Sequence, residues 1–166
     1  MRPCVLFTAT CSFFISCCPS GSPFDLNDTD RATVKMIAEF EHYQVLAVGI
    51  AGMHQGPAAV IVRNYGWNHD EILLDLQHIA DNNALELPTS LNVHYGEILE
   101  ELRQSSPEAF DNLYLYRASE ELKKVVTDLH IEERGGAEFS VLALNAKMLS
   151  LVGRQLNAVD SVLYGK

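Results

Sequence analysis

The side chains that could do chemistry in this sequence are a few histidines and carboxylates. Glu39-Phe40-Glu41-His42 is a Glu-x-x-His, the spacing by which helical bundles present di-metal ligands from facing helices. It occurs once, and on a helical wheel Glu39 falls about 140° and His42 about 80° from the apolar stripe of its helix. A di-iron site is therefore not expected. Asp75-x-x-His78 fails likewise, with His78 on the solvent side of its helix. Two polar residues do point inward. Glu41 lies within about 20° of the stripe centre of the first helix, and His69 about 40° from that of the second, between Tyr65 and Ile72. A short connection makes these helices neighbours, so Glu41 and His69 are expected to meet. Because buried charge is costly unless paired, a meeting would satisfy both. Two roles stay open for the pair: a structural hydrogen bond, or a metal- or small-ligand site.

Other chemistry lacks its residues. Nothing reads as a Gly-x-Ser-x-Gly nucleophile elbow or a phosphate-binding glycine loop. All four cysteines (Cys4, Cys11, Cys17, Cys18) stand in the first 18 residues. The folded part is thus without a thiol nucleophile, a disulfide framework or a Cys-x-x-Cys zinc site. Tyr114 reads as a core aromatic with a bonded hydroxyl, with Tyr116 straddling the same helix. Trp67, two residues before His69, sits on the outer half of its helix, as a partner contact or an ordinary exposed aromatic. No enzyme and no cofactor are expected.

The crowding of cysteines at the front belongs to an address. Met1-Arg2-Pro3 puts one positive charge before an apolar stretch from Cys4 to Ile15. A transmembrane helix needs about 20 apolar residues, whereas a secretory signal uses roughly 7–15 behind a basic start. The stretch ends in Phe14-Ile15-Ser16-Cys17, which resembles a bacterial lipoprotein signal: a small residue precedes the cysteine that is lipidated and becomes the new N-terminus. Residues 1–16 are read as the signal peptide, Cys17 as the lipidated residue, and 17–29 as a tether. Pro19-Ser20-Gly21-Ser22-Pro23 has the small, polar, Pro/Gly-rich composition that cannot pack a core. The expected location is the cell envelope, at the outer membrane or the periplasmic face, with the membrane as a partner through the lipid.

The remaining chain is acidic. Twelve Lys+Arg against 22 Asp+Glu give −10, and removing residues 1–16 takes away Arg2 and no acid. Such a surface repels phosphate backbones and anionic lipid, so no nucleic-acid partner is expected. Solubility is the simplest meaning of the charge; an envelope protein partner is the functional one.

What must position Glu41 and His69 is a set of helices. From Asp30 the apolar residues recur at three and four, the helical period. Val34, Ile37, Ala38, Val45, Val48 and Gly52 make the first stripe. Gln55-Gly56-Pro57 predicts a turn, with Pro57 opening a second helix that carries Ile61, Tyr65, Ile72, Leu76 and Ile79. Asp81-Asn82-Asn83 ends it, and Pro88 forbids continuation. A short helix with Leu91, Ile98 and Leu102 follows. Ser106-Pro107-Glu108 combines an N-cap, a proline at the first position and an acid in the first turn. Phe110, Leu113, Tyr114, Leu122, Val125 and Leu129 then mark a long fourth helix, stopped by Gly135-Gly136. The last helix runs from about Ala137 to Leu163 through Leu142, Ala146, Leu149, Gly153 and Leu156. Long helices on short loops imply an all-α, up-and-down four-helix bundle with one extra short helix, over residues 30–163.

One stretch resembles a known family. His69, Leu76, Ile79, Ala80, Leu87 and Pro88 reproduce the spacing His-x6-Leu-x2-Leu-Ala-x6-Leu-Pro, and Phe110-Asp111-x2-Tyr114 follows downstream. Together these resemble DUF4142, a family of exported bacterial proteins with a ferritin-like helical bundle and no established biochemical role. The resemblance covers roughly residues 32–163. It implies a second histidine where this chain has Leu122, a third where it has Gln155, and an asparagine where it has Leu73. If those histidines form a site in relatives, that site is largely dismantled here. The structural pair is therefore the preferred role for Glu41 and His69, with the ligand site as its rival.

Overall fold

A computed structural model describes residues 26–65, 69–132 and 138–165. Cys17, the signal sequence, most of the tether and Trp67 lie outside the described residues. Those described form six helices and no strand: α1 Asp28–Gly52, α2 Pro57–Tyr65, α3 His69–Asn82, α4 Val93–Gln104, α5 Pro107–Glu132 and α6 Phe139–Tyr164. None is long and apolar enough to cross a membrane.

The helix ends follow local chemistry. Asn27 caps α1, its side chain accepting from the Asp30 N–H at 2.8 Å. Leu26, expected in the tether, is buried, and α1 begins two residues before the expected start of the bundle. Pro57 opens α2 as the sequence predicts. Asn92 caps α4, accepting from the Tyr95 N–H at 2.9 Å. α5 opens on Pro107, with the Ser106 carbonyl accepting from Phe110 N–H at 2.9 Å. At the C-terminal end Gly165 takes a left-handed φ of 64°, the conformation that favours glycine after a helix.

Two contacts fix the relative starts of distant helices. The Glu138 N–H donates to the buried Asp30 carboxylate at 3.0 Å, so α6 begins beside the start of α1. The Ala58 N–H donates to Asp111 at 3.1 Å, which sets the start of α5 beside that of α2. A further clamp joins α3 to α6, where Lys147 lies 2.6 Å from Glu71 and 2.7 Å from Asp75.

α1 packs against every other helix. This is why its buried residues do not keep to one stripe: Phe40, Tyr43, Ala47, Ile50 and Ala51 are buried together with Val34, Ile37 and Ala38. The expected continuation through Val45 and Gly52 is wrong, since both are exposed. The stripe of α6 is displaced by one position. Val141, Leu144, Met148, Val152, Gln155 and Val159 are buried, while Leu142, Leu149, Gly153 and Leu156 are only partly so and Ala146 is exposed. Leucines seven apart make a conspicuous row, but α6 is apolar on adjoining faces, and the inner face is the one with Val and Met. The helix expected from Pro57 through Ile79 is described as two, α2 and α3, on either side of residues 66–68. Gly66 and Asn68 are residue types that punctuate helices, a signal outweighed in the sequence reading by the continuous three-four spacing. Within those helices Ile61, Ile72, Leu76 and Ile79 are buried as the spacing predicts.

Candidate functional site

Glu41 stands in the middle of α1, fully buried, one turn from the core residues Ile37 and Ala38. His69 is the first residue of α3. Packing of α3 on α1 brings His69 Nδ1 to 2.7 Å from Glu41 Oε2, with His69 keeping 17% of its side chain exposed. A carboxylate taken out of water is held by a short, charge-assisted bond, and the imidazole is oriented by it. In chemical terms a Glu–His pair with a solvent-side imidazole can hold a proton or contribute one ligand pair. Among the described residues no three His, Cys, Asp or Glu side chains converge in a way that could hold a metal ion.

The other polar residues weighed in the sequence are placed as follows. Glu39 accepts from Asn92 Nδ2 at 2.8 Å near the surface, and His42 is half-buried. His78 is exposed, and Asp75 is engaged by Lys147. Tyr116 is exposed and donates its hydroxyl to Glu120 at 2.8 Å. Tyr114 is buried, and burial pushes its hydroxyl well above the usual tyrosine range. Leu122 is fully buried in α5; Gln155 is buried in α6, its Oε1 without a hydrogen-bond partner among the described residues. Leu73, where the resemblance implies an asparagine, is exposed on α3.

A second Glu–His pair escapes the sequence reading. His94 Nε2, at the start of α4, lies 2.8 Å from Oε1 of the buried Glu121 of α5. Oε2 of Glu121 is buried, with no hydrogen-bond partner among the described residues. The rings of Tyr43 and Tyr95 stack 4.6 Å apart beside it. Burial first, and charges including that of Glu121 next, raise the hydroxyls of both tyrosines far above their ordinary range. A signal for this pair exists: Glu121 lies seven residues after Tyr114, two helical turns along the buried stripe of α5.

The downstream motif Phe110-Asp111-x2-Tyr114 is a joint between helices. Phe110 is buried, its ring stacking on His54 at 3.6 Å and 5°. Asp111 accepts from Ala58 N–H and so caps α2 from a distant part of the chain. Gly56 sits so close to the Asp111 carboxylate that a Cβ at residue 56 would overlap it. Leu76, Ile79 and Ala80 of the upstream motif are core residues of α3.

No curated protein and no solved structure matches the chain. The profile of a family described as a domain of unknown function, DUF4142, matches residues 18–162, a span that takes in the six described helices except the last residues of α6. The chain belongs to the DUF4142 family.

Proposed function

We propose that this chain is an exported protein of the bacterial cell envelope, processed after residue 16 and held to the membrane by a lipid on Cys17. Its helices act as a non-enzymatic binding module, with an acidic surface that engages another envelope component. We read their arrangement as a ferritin-like bundle in which α2 and α3 together make the second long helix and the short α4 lies in a crossover between α3 and α5, in place of the up-and-down order expected from the sequence. The shared starts support a crossover, because they make α6 run in the direction of α1 and α5 in that of α2, whereas an up-and-down order of the four long helices would set those starts at opposite ends.

One observation carries the non-enzymatic reading: the motif residues described here are occupied in joining helices. His69 is bonded to Glu41, Leu76 and Ile79 fill the core, Phe110 stacks on His54, Asp111 caps α2, and Tyr114 is buried. The address rests on the apolar run that ends at Ile15-Ser16-Cys17. Labelling cells with a clickable fatty acid tests it. Wild-type protein should carry the label and sediment with membranes, and Cys17→Ala should do neither. An unlabelled wild-type protein would remove the lipoprotein reading.

The 2.7 Å contact favours a second reading, a metal- or small-ligand-binding bundle built on His69 and Glu41. Elemental mass spectrometry of the purified protein separates the two. A stoichiometric transition metal lost in His69→Ala supports the second reading, and a metal-free protein supports the first.

A further inference from the structure

A groove of about 740 Å³ runs between the α1–α2 connection, α2 and the last turns of α6. Its walls are Pro57, Val60 and Ile61 on one side and Ala158 and Val162 on the other, with Arg154 at the α6 wall. Its size falls within the roughly 300–1,000 Å³ of small-molecule sites. Val60 and Val162 keep 43% and 49% of their surface exposed and face the groove from its two sides.

The charge of the groove is opposite to that of the chain. In a protein of net charge −10, the lining has no Asp or Glu and one Arg. Some other cations are engaged: Arg117 pairs with Glu101 and Glu120, Lys147 with Glu71 and Asp75, and Lys123 with Asp160, whereas Lys35, Arg63 and Lys124 have no ion pair among the described residues and lie outside the groove. Arg154 has no carboxylate within 4.0 Å among the described residues. Asp160, on the same helix, is occupied by Ser119 and Lys123 of α5. Neutral hydrogen-bonding groups, Asn64, Asn157 and Ser161, complete the polar part.

We propose that this groove binds a small aliphatic carboxylate, with Arg154 holding the carboxylate and Val60, Ile61 and Val162 enclosing the chain. A guanidinium presents a planar fork that matches a carboxylate with two parallel hydrogen bonds. An aliphatic tail suits the apolar walls that Val60, Ile61, Ala158 and Val162 present. A second copy of the chain is a poor occupant, because it would bring two strongly acidic surfaces together. The site is separate from the Glu41–His69 pair and independent of how the protein is anchored. It lies near the end of α1 remote from Leu26, since the 25 residues of α1 span about 37 Å.

Calorimetric titration of the full chain with dodecanoate, below its micelle concentration, tests the proposal, with dodecanol and dodecyltrimethylammonium as neutral and cationic probes. One dodecanoate per chain should bind saturably, about tenfold tighter than dodecanol, with the ammonium weakest. Arg154→Gln should weaken dodecanoate by about tenfold, the usual worth of a hydrogen bond to a charged group, and leave dodecanol unchanged. Val60→Glu should abolish binding of both. Both positions are exposed, and unchanged helical circular dichroism checks that the variants fold. No saturable binding, equal affinity for the three probes, or an Arg154→Gln variant that binds dodecanoate like the wild type would overturn the proposal. So would a dimer in sedimentation that Val60→Glu converts to monomer, because a second copy would then occupy the groove.

Discussion

His69 Nδ1 lies 2.7 Å from Glu41 Oε2, joining the first residue of α3 to the buried middle of α1. Removal of either partner leaves the other in a poorly solvated place. Glu41→Gln and His69→Leu should each destabilise the protein by about 1–3 kcal/mol in urea unfolding, because the first weakens and the second removes a hydrogen bond to a buried charged group. The two together should cost less than the sum of the singles, with a coupling of about 0.5–3 kcal/mol. Strict additivity would mean that the contact contributes nothing as a pair. A ligand site behaves otherwise: His69→Ala would lose the ligand with little change in the stability of the ligand-free protein.

Gly56 and Asp111 form a tighter relationship. Asp111 caps α2 through Ala58 N–H, and a Cβ on residue 56 would overlap its carboxylate. Asp111→Ala should therefore cost about 1 kcal/mol, the typical loss of a cap. Gly56→Ala should cost at least as much, because it displaces the same carboxylate. Once Asp111 is alanine, adding Gly56→Ala should do much less. Chemical unfolding of the two singles and the double measures this, and full additivity would refute the shared cause.

The parts of this structure legible in the sequence are those where one local signal dominates. Pro57 and Ser106-Pro107 announce the starts of α2 and α5, and the wheel positions of Glu41 and His69 anticipate their contact. What is not legible depends on how many neighbours a helix has. α1 touches all the others, so it buries several faces and its apparent stripe misleads beyond Gln44. α6 is apolar on adjoining faces, and only the packing against α5, α2 and α3 selects Met148 over Leu149 for the core. The Asp111 cap and the His94–Glu121 pair join residues 53 and 27 positions apart; the place of Glu121 on the buried stripe of α5 marks it as an inward acid, but nothing local names the partner of either carboxylate.

The corrected face of α6 can be checked by truncation. Met148 is fully buried, whereas Ala146 is exposed. Met148→Ala should cost about 2–5 kcal/mol as a core truncation, and Ala146→Ser less than about 0.5 kcal/mol. The same contrast should hold on α3 between the buried Leu76 and the exposed His78. Similar losses from Met148→Ala and Ala146→Ser in thermal unfolding would return the inner face to the leucine row.

Alkaline pH tests the aromatic cluster of α1, α4 and α5. Tyr43, Tyr95 and Tyr114 are held neutral chiefly by burial, and the hydroxyls of all three are raised well above the ordinary value of 10.0. Nearby negative charge, including that of Glu121, adds to the shift at Tyr43 and Tyr95. The sign follows from proton binding. Above about pH 10 the unfolded chain releases these protons while the folded chain keeps them, so stability present below pH 10 is lost as pH rises. Each such tyrosine should contribute a fall of about 1.4 kcal/mol per pH unit. Tyr114→Phe, which removes a group shifted by burial alone, should reduce the slope by one such increment. Tyr116→Phe, at an exposed position, should change it far less, although the Glu120 contact raises Tyr116 as well. Urea midpoints measured across this range, beside the absorbance of tyrosinate, read both quantities. If the folded protein ionises all its tyrosines near pH 10 without losing stability, the three hydroxyls are not sequestered as the packing of Tyr43 on Tyr95 requires.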